Sequence, residues 1–330
     1  MIKVEGLTKR YGRTVAVDNI SFSVEKGQIV GFLGPNGAGK TTTMRVLTCF
    51  LPPTSGTARL AGYDVLEQPL EVKRKIGYLP ETPPLYPEMA VNEYLTFVGR
   101  LKGVPKFDIA RRVAEVSDLC AIGDMRTQLI SRLSKGYRQR VGLAQAIIHN
   151  PDVLILDEPT AGLDPKQIIE TSQLIKNLAQ AGAHTIILRT HILPEVEQTC
   201  EHVIIINKGK LVATDTVENL THRLRGSEAV AVEIEARDGK LDAAAVQRRL
   251  EQVAGVSRVV PKQAGDERAH FEVESLQKRA IRGDLARAVV ESGWNLNELR
   301  PLSLSLEEIF LELTGAEPEA AAESVTGGDQ

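Results

Sequence analysis

The chain has 330 residues, 42% of them hydrophobic, and a formal net charge of -3. That length exceeds an average domain, so two are expected, and the apolar content can supply a proper core. The balanced charge lacks the basic footprint of a nucleic-acid binder, so no nucleic acid partner is expected.

The opening MIKVEGLTKRYG has no apolar run after its charges and does not read as a signal peptide. No stretch approaches the ~18 uncharged apolar residues of a membrane span, so any crossing of a membrane falls to another chain. Cys49, Cys120 and Cys200 are far apart and in no metal-ligand spacing, which reads as reduced core thiols and a cytoplasmic compartment.

From residue 1 to about 220, apolar runs such as GQIVGFLG, DVLILDE, AHTIILRT and HVIIINKG alternate with helical patterns. Continuous apolar strands separated by helices predict a mostly parallel sheet covered on both faces. Between about Gln68 and Asn150 the pattern turns helical, with proline punctuation in LPETPPLYPEM and GVPKFD, and is expected to form an inserted helical subdomain. No internal repeat is visible.

Within that framework GPNGAGKT, Gly34 to Thr41, follows the strand QIVGFL and precedes the helical TTMRVLTCF. It fits G-x-x-x-x-G-K-[ST] in the required strand-loop-helix setting. The backbone of Gly34, Pro35, Asn36, Gly37, Ala38, Gly39 and the following Lys40, Thr41 and Thr42 is expected to wrap phosphates. Lys40 then reaches the β- and γ-phosphates, and the Thr41 hydroxyl faces Mg²⁺. LSKGY, residues 133–137, reads as a helix start with Ser134 as cap and Gly136 admitting a close backbone.

VLILDEPTAGLD, Val153 to Asp164, is a buried strand ending in two carboxylates. Alone, such a pair is an ordinary solvated strand end. With the phosphate loop in the same chain, Asp157 is placed to hold Mg²⁺ through water and Glu158 to take a proton from the water attacking the γ-phosphate. His191 ends the second apolar strand, TIILRTH, where a lone histidine is ordinarily a structural hydrogen bonder.

After LTHRLRGSE the texture changes to AVAVEIEA, LDAAAVQRRLEQV, SRVVPKQ, AHFEVES, KRAIRGDLARAVVESG and WNLNELRP. That order, β-α-β-β-α-β, predicts a ferredoxin-like α+β appendix over 226–315, closed by the helix SLEEIFLELTG. It holds no phosphate or metal constellation, so a regulatory or dimer-stabilising role is expected. AEPEAAAESVTGGDQ, residues 316–330, reads as a disordered tail.

Taken together, residues 2 to 220 resemble the nucleotide-binding subunits of ATP-binding cassette (ABC) transporters through a set of ordered motifs. The resemblance implies a P-loop NTPase cassette over 1–222, binding ATP and Mg²⁺ and hydrolysing ATP. It assigns adenine stacking to Tyr11, the lid to Glu81, which also touches Mg²⁺, and the signature to LSKGY with Ser134 and Gly136. It assigns the inter-subunit loop to AGLD ending at Asp164, and γ-phosphate sensing to His191. The wording IGYLPETPPLYPEMAVNEYL and the closing SLEEIFLEL resemble the gliding-motility-type and drug-exporter-type bacterial branch. There the ATPase pairs with itself or a paralogue over two ATP molecules, beneath separate integral membrane permease subunits and on the inner face of the cell membrane. PPLYPEMAVNEYL is then expected to receive the permease. Three departures stand out: Glu81 replaces the usual glutamine, Lys135 and Tyr137 alter the usual LSGGQ, and Arg189 stands where a small residue is common. The alternative, a soluble ABC ATPase in translation or DNA repair, ordinarily carries two cassettes or a long coiled-coil insertion, and neither is seen. A binding-only regulatory module has no need of Glu158 and His191 together.

Overall fold

The computed structural model describes residues 1–180, 184–223, 229–237, 239–276, 279, 281–302 and 306–315. They divide into two units, one of Met1–Val217 with the described residues from Phe310 on, the other lying between Glu218 and Ile309.

The first unit opens with β1 (Ile2–Tyr11) and β2 (Thr14–Val24), paired antiparallel from Ile2↔Val24 to Tyr11↔Thr14. β3 (Ile29–Leu33) is buried throughout and leads through the phosphate loop into α1 (Lys40–Leu47). β4 (Ser55–Leu60) and β5 (Tyr63–Asp64) complete an antiparallel sheet of order β2-β1-β4-β5. Then follow α2 (Pro69–Lys75), β6 (Ile76–Leu79), α3 (Val91–Leu101), α4 (Ile109–Leu119), α5 (Lys135–Ile147), β7 (Val153–Asp157) and α6 (Pro165–Gln180). β8 (Thr185–Arg189), α7 (Leu193–Thr199), β9 (His202–Asn207) and β10 (Lys210–Thr216) end the series. The second sheet has the order β10-β9-β3-β8-β7-β6 and is parallel except for β10. β3 and β7 are buried at every position, as strands covered on both faces must be.

Two features depart from the sequence expectation. Ile76–Leu79 lies inside the stretch expected to be helical from Gln68, yet it pairs parallel with Val153–Leu156 and so belongs to the core sheet. Four residues are too few to show a period, and their helical flanks mask them. The antiparallel sheet was also not foreseen. It matters to the site, because α1 buries Met44, Val46 and Leu47 in one cluster with Ile2, Leu7 and Leu60 of the first sheet and Val30 and Phe32 of the second. Burial of each such side chain is worth roughly 1.5–3 kcal/mol, so the helix behind the phosphate loop is clamped from two sides.

α8 (Val217–Arg223) leads to the second unit, which contains β11 (Ala229–Glu235), α9 (Ala243–Glu251), β12 (Val256–Ala264), β13 (Arg268–Ser275), α10 (Arg282–Glu291) and β14 (Asn295–Leu302). The antiparallel order β12-β13-β11-β14 is the ferredoxin-like one. Val230, Val232 and Ile234 of β11 pack with Phe271, Val273, Val246, Leu250, Leu285 and Val289, so the sheet buries one face beneath its two helices. The closing helix, α11 (Leu306–Thr314), does not belong wholly to this unit. From Phe310 onward it is part of the first, where the Thr314 carbonyl accepts from Asn207 Nδ2 at 3.0 Å. The expected tail, 316–330, lies outside the described residues. Among the described residues no helix is long and apolar enough to cross a membrane. Cys120 and Cys200 are buried and Cys49 is partly so; none of the three is in a disulfide.

Candidate active site

The phosphate loop begins where β3, flanked by β8 and β9, runs out of the sheet. Gly39 at the start of α1 has φ 105°, and a Cβ there would lie 2.5 Å from the Ala16 carbonyl of β2. Only glycine tolerates both the left-handed backbone and that approach. Lys40 is 5% exposed, and its ammonium donates to the carbonyls of Gly34 and, at 3.0 Å, Pro35. A cation withdrawn from water is thus held by loop oxygens. Asn36, Gly37 and Thr41 are exposed at the mouth of the loop, with Thr42 half-buried behind them.

β7 delivers Asp157 and Glu158, which are 5% and 4% exposed. Register sets Asp157 opposite Arg189 of β8, and the Arg189 Nη1 pairs with Asp157 Oδ1. Burial pushes the Asp157 carboxyl up, the guanidinium pulls it back, and Glu81 nearby adds to the rise. Glu158 has φ 49° and donates its N–H to the Arg189 carbonyl at 2.7 Å. That left-handed turn, costing roughly 1–2 kcal/mol in a non-glycine residue, ends the strand and redirects the side chain. Glu158 Oε2 lies 2.8 Å from His191 Nδ1, joining a carboxylate that is 6% exposed to an imidazole that is 64% exposed. Asn36, Lys40, Glu81, Glu158, Ala161, Arg189 and His191 line one cleft.

Two contributors escaped the sequence reading. One is the Arg189 partnership with Asp157, visible only once the two strand ends are aligned. The other is Glu195, 3% exposed, whose carboxylate accepts from Thr160 at 3.0 Å, Thr190 at 2.9 Å and Ser172 at 3.4 Å. It ties the segment after Glu158 to the one before His191. Its only sequence signal is a glutamate four positions past that histidine.

The signature stretch lies elsewhere. Ser134 caps α5, accepting the Tyr137 N–H at 3.3 Å. A Cβ on Gly136 would come within 2.8 Å of the end of the Gln167 side chain, so α5 and α6 meet here within one chain. The Lys135 side chain reaches the backbone of Gly162 in the AGLD loop. Gln139 Nε2 donates to the Glu81 carbonyl at 3.3 Å, linking α5 to the lid segment. Asp164 caps α6, accepting the Gln167 N–H at 2.9 Å. Tyr11 ends β1, 44% exposed, with Lys9 Nζ 5.5 Å from its ring centroid. Tyr11, Ser134, Gly136 and Asp164 are not among the residues that line the cleft.

The donor set suits Mg²⁺ with ATP. Thr41, Asp157 and Glu81 offer hard oxygens, the ligand type Mg²⁺ selects. Among the described residues no group of three or more His, Cys, Asp or Glu could cage a metal alone. A Mg²⁺ ion held here would need further oxygen ligands, of the kind phosphate and water supply.

The ABC transporter family model matches residues 17–161. The chain is 34% identical to the uncharacterized ABC transporter ATP-binding protein YxlF of Bacillus subtilis, over 96% of this chain and 100% of that one. It is 33% identical to the daunorubicin/doxorubicin resistance ATP-binding protein DrrA of Streptomyces peucetius, over 95% and 92%. Both matches extend through the ferredoxin-like appendix. A solved structure of cbiO1 from Clostridium perfringens, part of the ABC transporter complex cbiONQ, superposes with TM-score 0.63 at 27% identity, covering 68% of this chain and 91% of that one. None of these relatives is named for translation or DNA repair, and they do not favour the reading as a soluble factor of either. The chain belongs to the ABC transporter family, as an ATP-binding subunit and an ATPase.

Proposed function

We propose that two copies, or this chain and a paralogue, close over two molecules of ATP with Mg²⁺ and thereby drive export through separate membrane permease subunits. The observation that carries this reading is the composition of the cleft. It gathers Lys40, Glu158 and His191 but not Ser134 or Gly136. A helix start without metal ligands of its own complements a γ-phosphate held by another chain. Drug resistance, the role in the name of DrrA, is what expulsion of a drug would confer, and the cbiO1 complex supports assembly with further subunits. The peripheral position on the inner face of the membrane follows from that assembly.

In this scheme Lys40 gives up its loop carbonyls to neutralise phosphate charge. Thr41, Asp157 and Glu81 hold Mg²⁺, which when bound supplies electrostatic polarisation of the γ-phosphate. His191 Nδ1–H fixes Glu158 Oε2, leaving the other carboxylate oxygen to take the proton of the attacking water. ATP favours the closed pair, hydrolysis removes the phosphate that bridges it, and the reopening moves the permease. Tyr11 stacks the adenine, and Asp164 links the two sites while capping α6.

Cysteines introduced at Ser134 and Gly37 test the pairing. Disulfide crosslinks between two chains should form with ATP and not without it; crosslinks within one chain, or formed regardless of ATP, would overturn it. Lys40→Ala should lose tight ATP binding, while Glu158→Gln should bind ATP and stop turnover. Equal loss of binding in both would remove the roles assigned to them.

A further inference from the structure

Arg189 is the charged residue of the cleft that the catalytic scheme does not use. Its side chain is 14% exposed, it pairs through Nη1 with Asp157, and its Nε is buried with no partner in the described structure. A guanidinium cannot shed its proton, so this positive charge is permanent. Glu81 adds a carboxylate to the same cleft. Three carboxylates, Glu81, Asp157 and Glu158, therefore face two cations, Lys40 and Arg189. A neutral residue at 189 would leave two excess negative charges where tetra-anionic ATP must bind. Neutral residues at both 81 and 189 would leave one, as here. The two departures from the usual residue types thus compensate each other.

We propose that Arg189 is an internal counter-cation of the nucleotide site: it competes with the divalent metal for Asp157 and offsets Glu81, so that ATP binding depends less on Mg²⁺. The inference rests on the assignment of Asp157 to Mg²⁺. Arg189 acts through Asp157 and the local charge and is a positioning residue.

The test is calorimetry of the non-hydrolysable analogue AMP-PNP on the whole chain, in EDTA and in excess Mg²⁺, with the ratio of the two Kd values as readout. Arg189→Gln should weaken binding in EDTA about tenfold, the size of one partly screened charge, while binding in Mg²⁺ holds or tightens. Arg189→Lys, which keeps the charge, should stay near wild type. Glu81→Gln alone should tighten binding in EDTA, and Glu81→Gln with Arg189→Gln should return the ratio to within about threefold of wild type, since the net charge is restored. A merely structural ion pair predicts otherwise: Arg189→Gln weakens both Kd values alike and Glu81→Gln rescues nothing, and that result overturns the proposal. If Arg189→Gln does not fold, the exposed Glu81→Gln decides alone, because an unchanged ratio there sinks the charge argument. Asp157→Asn separates the two levels. If it fails to reduce the benefit of Mg²⁺, the metal assignment falls and the inference with it. If it does reduce that benefit while Arg189→Gln leaves the ratio unchanged, the assignment stands and the inference alone fails.

Discussion

His149, just beyond α5, makes the stability of the first unit sensitive to mild acid. Its Nε2 lies 3.0 Å from the Ile76 carbonyl, which accepts, so Nε2 carries the proton of the neutral ring. Nδ1 is buried and has no partner in the described structure. Burial, with Lys102 and Arg112 adding their charge, lowers the imidazole from 6.5 to about 4. A depressed folded value means that the unfolded chain takes up the proton first as pH falls. The stabilisation is complete above the unfolded value and is lost as pH drops from about 6.5 to about 4, by about 3 kcal/mol at 1.36 kcal/mol per unit. Asp157 and Glu195 are raised and act in the opposite direction, so the measurement is a difference. His149→Gln keeps an N–H donor for Ile76 and does not titrate. Between pH 7 and pH 4 wild type should lose about 3 kcal/mol more than this variant in urea unfolding. Far-UV circular dichroism is the probe, because the single tryptophan, Trp294, belongs to the other unit. Parallel pH profiles for the two proteins, or an imidazole NMR titration with a midpoint above 6, would refute the reasoning.

Glu195→Ala should cost about 3 kcal/mol, since three buried hydroxyls lose their acceptor, and Glu195→Gln less than half of that; urea midpoints give both. Asp164→Ala should cost about 1 kcal/mol through the lost cap of α6, with Asp164→Asn near neutral in the same assay, because asparagine also caps. Gly136→Ala should be near neutral, since only the end of the flexible Gln167 side chain must move and alanine favours the helix by up to about 1 kcal/mol; a loss above about 2 kcal/mol in urea unfolding would refute this.

What was legible in the sequence was contiguous. The phosphate loop declares itself because strand, glycines, lysine and helix occupy neighbouring positions, and Ser134 reads as a cap because capping is local. The appendix is legible for the same reason, as β11 and β13 alternate cleanly on one buried face. What escaped depends on register and approach. Arg189 meets Asp157 only because β7 and β8 end level with each other, and Gly136 meets the Gln167 side chain, some thirty positions away, only because α5 and α6 pack together. Strand β6 hid inside a helical stretch because Ile76–Leu79 has no period to reveal it, and only pairing with β7 makes it a strand. Glu195 offers only its spacing from His191, since its three hydroxyl partners come from separate segments.

The division of α11 at Phe310 alters how the appendix can be removed. A chain cut after Val217 also loses Phe310–Thr314 and with it the acceptor for Asn207, so its defects would be charged to the wrong part of the molecule. Topologically the ferredoxin-like unit is an insertion held at both ends. A fair deletion is an excision that joins Val217 to Phe310 through a short flexible linker. Lengthening that linker should cost little, because closure entropy grows only with the logarithm of loop length, by about 0.6 kcal/mol per doubling. Between the stop-codon chain and the excised one, any difference in folding or nucleotide binding belongs to the last turns of α11 and whatever follows them.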